Sequence, residues 1–316
     1  MKLKSLLTTL LIVPLISCSQ SSTLESKVFC FDTAIDIRLF EGEKQNLTDI
    51  ESIFSYYDKI TDNYKSRDLN NVYSINKTNE DVTVDQTLYS ILQKTFALKD
   101  EVRYFDPLCG SLAKKWKESL KSFQILDETT IQSELSKMSS SSISFKENNV
   151  IQRLGEAEID LGAVAKGFAL DEVKSYLDSK SFSKYLINSG YSSILLGKKE
   201  VDDGLFSVGL SDIENAYLKL SNCFVSTSGV STQGVKIDGQ MYSHIVNPYT
   251  GSAINNYDTV IVVSNSGYLG DALSTSFMLS SIDEIKQMEQ SKGVKALVIK
   301  DKNIVYRNES LEVYYH

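Results

Sequence analysis

Between Ile159 and Asp171 the chain reads Ile-Asp-Leu-Gly-Ala-Val-Ala-Lys-Gly-Phe-Ala-Leu-Asp, and these residue types suit the binding of an anion. Small residues at 162, 163, 165 and 167 leave backbone N–H groups unshielded, so a charged group can approach them closely. Lys166 places a cation at the same turn. A short extended run breaks at Gly162, after which Ala169, Val173, Tyr176 and Leu177 follow helical spacing. Strand, small-residue turn and lysine-bearing helix start together read as a phosphate site. The Walker pattern G-x-x-x-x-G-K-[ST] is absent. A tight crossover needing small residues only for packing would look the same, and the stretch alone leaves both readings open.

Three further motifs carry polar groups at turns. Leu186-Ile187-Asn188-Ser189-Gly190 and Val225-Ser226-Thr227-Ser228-Gly229 each read as a strand ending in a polar turn. His244, one of 2 histidines, precedes the turn Asn247-Pro248-Tyr249-Thr250-Gly251. In Gly270-Asp271-Ala272-Leu273-Ser274-Thr275 a carboxylate and a hydroxyl stand at i and i+4 of an expected helix, which points both oxygens to one side. Such hard oxygens suit Mg²⁺. Taken singly, Asp271 reads equally as a helix cap and His244 as a hydrogen-bonded strand residue.

The elements that must position these groups follow from periodicity. Strands are expected within 27–40, a helix over 46–59 with the stripe Leu47, Ile50, Ile53, Phe54 and Tyr57, and a helix over 85–103 capped by Asp85. A short helix over 112–120 carries Trp116, and the serine run 139–142 is expected as a surface loop ahead of a hairpin. Short strands then predominate, at 185–187, 193–196, 205–210, 216–220, 224–226, 241–246 and 259–264. Helices at 271–280 and 282–290 and a hairpin over 294–307 close the chain. Helices concentrate early and strands late, without regular βαβ alternation. That pattern predicts an α+β class in one domain over 27–316.

At 316 residues, with 42% apolar and 23% charged residues, the composition is that of an ordinary globular chain. The net charge is −8 and becomes −10 without Lys2 and Lys4 of the first seventeen residues. So acidic a surface excludes a nucleic-acid binder, and any phosphate must be held locally by a metal or by a few directed donors. Leu6–Ile16 is too short to span a bilayer, which takes about 20 residues. After basic Met1–Lys4 it reads as a secretory signal over 1–17. Its end, Leu15-Ile16-Ser17-Cys18, resembles a bacterial lipobox with Cys18 as the lipid-modified residue and 18–26 as a tether. Cys30, Cys109 and Cys223 fit neither a disulfide framework nor a C-x-x-C metal site, and read as small buried hydrophobes.

Taken together the motifs resemble the ApbE family, the FAD:protein FMN transferases. The family pattern D-L-G-x-x-A-K-G-x-x-x-D is matched from Asp160 to Asp171, and I-N-x-G-G by Ile187 to Gly190 with Tyr191 in the last place. S-T-S-G stands at Ser226 to Gly229, and H-I-x-D-P-x-T-G at His244 to Gly251 with Asn247 for the aspartate. D-A-L-A-T-A is matched at Asp271 to Ser276, and Phe54-Ser55-Tyr56-Tyr57, Ile75-Asn76 and Phe105-Asp106-Pro107 agree ahead of Trp116. The resemblance implies a single, T-fold-like α+β domain that binds FAD and Mg²⁺. FMN would pass through a phosphoester bond to a threonine (or serine) of an acceptor protein, with release of AMP. It assigns Mg²⁺ to Asp271, Thr275 and the carbonyl of Ala163. FAD contacts fall to Phe31, Tyr57, Tyr104, Phe105, Asp106, Asp160, Lys166 and Ile245, and the general base to His244. Close alternatives are hydrolysis of FAD to FMN and AMP, and a flavin-binding lipoprotein without catalysis; a surface receptor rests on the lipobox alone.

The lipobox reading places the mature protein on the outer face of the cell membrane through lipid on Cys18. Replacing Cys18 by Ala should move active protein from the membrane pellet to the soluble fraction; continued sedimentation with membranes would remove the argument.

Overall fold

A computed structural model describes residues 23–199, 203–230 and 234–316. Cys18 and the signal segment lie outside the described residues. In chain order the strands and helices are β1 (Leu24–Cys30), β2 (Thr33–Leu39), α1 (Lys44–Thr61), α2 (Val72–Asn76), β3 (Asp81–Thr83), α3 (Gln86–Glu101), α4 (Gly110–Lys121) and α5 (Glu128–Ser140). Then come β4 (Ser142–Lys146), β5 (Val150–Leu154), α6 (Ala165–Ser179), β6 (Tyr185–Ser189), β7 (Ser193–Leu196), β8 (Phe206–Gly209), β9 (Ala216–Leu220) and β10 (Cys223–Gly229). The remainder is β11 (Val235–Ile237), β12 (Gln240–Tyr242), β13 (Thr259–Ser264), α7 (Gly267–Phe277), α8 (Ile282–Lys292), β14 (Lys295–Lys300), β15 (Asn303–Arg307) and β16 (Val313–Tyr315).

An eight-stranded sheet in the order β1-β2-β6-β7-β10-β13-β14-β15 carries the fold. Every neighbouring pair in it is antiparallel. The run Thr259-Val-Ile-Val-Val-Ser264 has no polar alternation because β13 is buried along its whole length. Period two sorts its side chains. Val260 and Val262 join Phe224, Ala296 and Val298 in the core beneath the helices. Ile261 and Val263 join Val225, Leu297 and Ile299 in a second core, shared with Leu218 of β9 and Val313 of β16 from the three-stranded sheet β16-β9-β8. The second core covers one face of the sheet and the helices cover the other, which fixes the direction of every residue of β10.

Helices α6 and α7 lie against each other at the helical face. A Cβ built on Gly167 would stand 2.3 Å from the backbone carbon of Gly267, so no side chain fits where the two backbones cross. The fold is α+β, as the element pattern predicts. Three local expectations fail. Ser139 and Ser140 of the serine run end α5, Ser141 caps it and Ser142 opens β4; Ile131 and Met138 are the buried apolar residues of that helix among threonines and serines, so its apolar stripe is faint. Asp127 caps it by accepting from Thr130 N at 2.9 Å. The expected strand over 241–246 stops at Tyr242, since Ser243 Oγ accepts the N–H of Ile245 at 3.0 Å and diverts it from a ladder. Helix α7 begins at Gly267, four residues before Asp271; its two early glycines hide a start that Gly167 makes necessary. Of the cysteines, Cys30 and Cys223 are buried, whereas Cys109 is only partly so.

Replacing Gly167 by Ala should force α6 and α7 apart and lower unfolding stability by about 3 kcal/mol, the upper end of the range for overpacking. A urea titration of the mature protein measures it, and an unchanged midpoint would show that the crossing can widen freely.

Candidate active site

The 159–166 segment is held in place before it reaches α6. Asn76, at the end of α2, takes both backbone groups of Ile159: its Nδ2 donates to the carbonyl at 2.9 Å and its Oδ1 accepts the N–H at 2.8 Å. Asp160 N donates to Pro107 O at 2.8 Å, tying the segment to the Tyr104–Pro107 loop. Asp160 Oδ1 accepts the N–H of Gly162 at 2.6 Å and shapes the turn. Val164 N and Ala165 N then share the carbonyl of Leu161, and the helix starts. Ala163 and Lys166 are half-buried at this corner.

Asp271 is 6% exposed, and its carboxylate is met from three directions. Gly167 N donates to Oδ2 at 2.8 Å, while Ser193 Oγ and Ser226 Oγ donate to Oδ1 at 2.9 and 2.6 Å. Asp171 of α6 reciprocates. Its carboxylate accepts Gly267 N at 2.8 Å and Tyr268 N at 3.0 Å, capping α7 from outside that helix. Burial raises the pKa of Asp271, opposed first by the charge of Lys166 and then by the three donors. Thr275 Oγ1 donates to the carbonyl of Asp271 at 3.1 Å and lies 3.3 Å from Ser228 Oγ.

His244 stands on an irregular loop organised by side chains. Asn247 Oδ1 accepts the N–H groups of Tyr249 and Thr250 at 2.9 and 3.2 Å, so the amide does the turn-forming work that an aspartate would do. Trp116 Nε1 donates to Gly251 O at 2.8 Å and its ring stacks on Tyr242, fixing the loop to α4. His244 is exposed at the surface. Desolvation of the ring first, then repulsion by Lys166 and Lys117, lowers its pKa from 6.5 to about 4. At neutral pH the ring is therefore an unprotonated base. Lys166 acts electrostatically on both His244 and Asp271, which brings three of the sequence-derived residues to one place.

The remaining candidates divide. Phe31 and Asp32 form the β1–β2 turn with φ of 54° and 56°, and Asp58 Oδ1 accepts the N–H of Phe31 at 2.7 Å. Tyr104, also left-handed at φ 61°, meets Tyr249 edge-on at 5.7 Å. Asp106 pairs with Lys99 at 2.9 Å and caps Leu108, while Phe105 and Ile245 are buried. Tyr57 faces α6 at Asp171 and Glu172. Its ring is 6% exposed and its hydroxyl donates to Glu172 of α6 at 3.3 Å, and burial pushes its pKa up.

A residue that periodicity passed over stands nearer. Tyr64, 48% exposed, has the ammonium groups of Lys114 and Lys117 at 4.7 and 5.5 Å from its ring centre. Burial of its hydroxyl and the charges of Asp160 and Asp32 raise its pKa to about 12. Its signal in the sequence is an aromatic residue outside any stripe, in the polar loop after α1.

The ApbE family model matches residues 31–298. The chain belongs to the ApbE family. It is 26% identical over 295 residues to the FAD:protein FMN transferase of Klebsiella pneumoniae, covering 88% of this chain and 86% of that one. To the Treponema pallidum protein of the same name it is 27% identical over 242 residues, 69% and 67% of the two chains. The fold is that of the ApbE protein of Thermotoga maritima, with a TM-score of 0.77 at 23% identity over 92% of this chain and 98% of that one. The flavin transferase ApbE of Vibrio cholerae superposes with a TM-score of 0.70 at 18% identity, over 93% and 97%.

A base with the depressed pKa of His244 loses function only as pH falls through that value. The acid limb of kcat/KM should therefore lie near pH 4 rather than 6.5, and Lys117→Gln should move it upward. The same depression predicts falling stability from pH 6.5 toward 4, because the unfolded chain then binds the additional proton. A pH–rate profile of the mature protein measures the first, and a limb at 6.5 in both proteins would show an imidazole of ordinary pKa that Lys117 does not reach.

Proposed function

We propose that this ApbE-family chain is a transferase that moves FMN from FAD to a threonine (or serine) hydroxyl of an acceptor protein. The hydroxyl oxygen bonds to the phosphorus on the FMN side, the bond from that phosphorus to the bridging oxygen breaks, and AMP leaves. His244 accepts the hydroxyl proton; the ApbE-family match over residues 31–298, with the buried Asp271 carboxylate held by three donors and Lys166 acting on both it and His244, is the observation that carries this reading. Lys166 holds the diphosphate in a chain whose net charge of −8 otherwise repels it. Asp160 shapes the turn ahead of Lys166 through its bond to Gly162. Tyr64, Phe31 and Tyr104 supply aromatic faces for the rings of FAD.

The oxygens at Asp271 and Thr275 fit a hard cation. Protein donors fill three of the four lone-pair directions of the carboxylate, and Thr275, donating to a carbonyl, keeps its lone pairs. Among the described residues no three His, Cys, Asp or Glu side chains come together as a metal site, so phosphate and water oxygens would complete the shell. That need is characteristic of Mg²⁺. Asp271 and Thr275 would hold it with the carbonyl of Ala163, and when bound it neutralises charge on the diphosphate and on departing AMP. The solvent-open edge of His244 favours a second outcome, hydrolysis of FAD, whenever no acceptor is present. We place the enzyme on the outer face of the membrane through Cys18; among the described residues no helix is long and apolar enough to cross one.

Mass spectrometry of a threonine-bearing acceptor incubated with FAD and Mg²⁺, with AMP assayed in parallel, separates transfer from hydrolysis. Asp271→Ala and added chelator should each abolish turnover, and Thr275→Val should lower it about tenfold. His244→Ala should cost at least about a hundredfold while FAD still binds. Full activity in chelator would return Asp271 to a purely structural role.

A further inference from the structure

Strand β10 and helix α7 meet through hydroxyls where apolar side chains would ordinarily pack. Phe224, Ser226 and Ser228 share the helix-facing side of β10, because alternate residues of a strand point one way and Phe224 lies in the core beneath the helices. Ser226 stands opposite Ser193 of β7 in the ladder, so the two hydroxyls are cross-strand neighbours. Both donate to one oxygen, Oδ1 of Asp271. Two residues along, Ser228 Oγ lies 2.9 Å from Ser274 Oγ and 3.3 Å from Thr275 Oγ1. A two-residue step along a strand is about 6.6 Å. Four residues of helix rise about 6 Å. The strand therefore meets Asp271 with one serine and Thr275 with the next.

Ser226 and Ser193 are buried at 1% and 2% exposure. Interior hydroxyls on a strand cost desolvation that valine would avoid, and are tolerated when a partner uses them. Here they saturate Oδ1, whereas among the described residues Oδ2 receives only the N–H of Gly167. Among those residues one lone-pair direction of the carboxylate stays without a protein partner, and it belongs to Oδ2. We infer that Ser193 and Ser226 are positioning residues that fix the rotation of the Asp271 carboxylate and leave its Oδ2 to the cation, while Ser228 sets the hydroxyl of Thr275. This rests on the divalent-ion reading of Asp271.

The test is calorimetric titration of the apo mature protein with Mn²⁺ and Mg²⁺, with and without FAD, beside steady-state turnover and thermal melting. Ser193→Ala and Ser226→Ala should each weaken ion affinity about tenfold, and Ser226→Thr, which keeps the oxygen, should recover most of the loss. Normal ion affinity in both alanine variants, with only the melting temperature lowered, overturns the inference and makes the serines structural. If Asp271→Ala also binds the ion normally, the metal reading falls and takes the inference with it. Loss in Asp271→Ala alone removes the inference and leaves that reading standing. Alanine variants that fail to fold are replaced by Ser193→Cys and Ser226→Cys, and equal ion affinity in these and the parent, despite the weaker S–H donor, likewise counts against positioning.

Discussion

Two helices exchange a carboxylate for backbone N–H groups, and the site depends on that exchange. Asp271 of α7 takes the N–H of Gly167 at the start of α6, and Asp171 of α6 takes the N–H groups of Gly267 and Tyr268 at the start of α7. Each acid answers unpaired donors at the other helix's first turn, where the helix dipole also favours negative charge. The glycine contact beneath lets the backbones come close enough for both bonds. Stacking of Phe168 on Tyr268, with ring centres 4.4 Å apart, closes the same interface. Lys166 owes its position to this arrangement, since it precedes Gly167 directly.

Around that pair the large sheet supplies rigidity and the loops supply chemistry. β6–β7 and β10 deliver Ser193 and Ser226 from strands whose neighbours are paired on both sides. His244, Phe31 and Tyr104 come from segments without regular pairing, each pinned by specific bonds: Trp116 to Gly251, Phe31 to Asp58, Asp160 to Pro107. Phe31, Asp32 and Tyr104 in those segments have positive φ. A side chain in that region costs on the order of 1 kcal/mol or more, which surrounding contacts must offset.

Much of this was legible in the sequence where one physical cause acted alone. The turn of small residues at 162–167 announced close backbone approach, and α3 and α6 announced themselves by their stripes. The spacing of Asp271 and Thr275 held because it depends only on helix geometry. Reading failed where side chains compete with the backbone or where tertiary packing decides. Serines and threonines in α5 weakened its periodicity, and the hydroxyl of Ser243 diverted a run that otherwise looks like strand. Tyr57 and Tyr64 are both tyrosines near the end of α1. Only packing against Glu172 turns the first into core, and only the fold places the second beside Asp160 and Lys114.

The doubly buried strand β13 has a consequence for how motion is distributed. Amide protons in a strand sealed on both faces exchange with solvent only through large-scale opening, whereas irregular segments exchange through local fluctuation. β10 pairs directly with β13, so Ser226, one of the groups that hold Asp271, sits beside the strand whose amides only such opening exposes. The loop that carries His244 leads into β13 itself, and its last residues are tied by backbone bonds, Asn256 N donating to Met278 O at 2.9 Å and Asp258 N to Ile299 O at 3.0 Å, so local fluctuation of the loop is checked at that end.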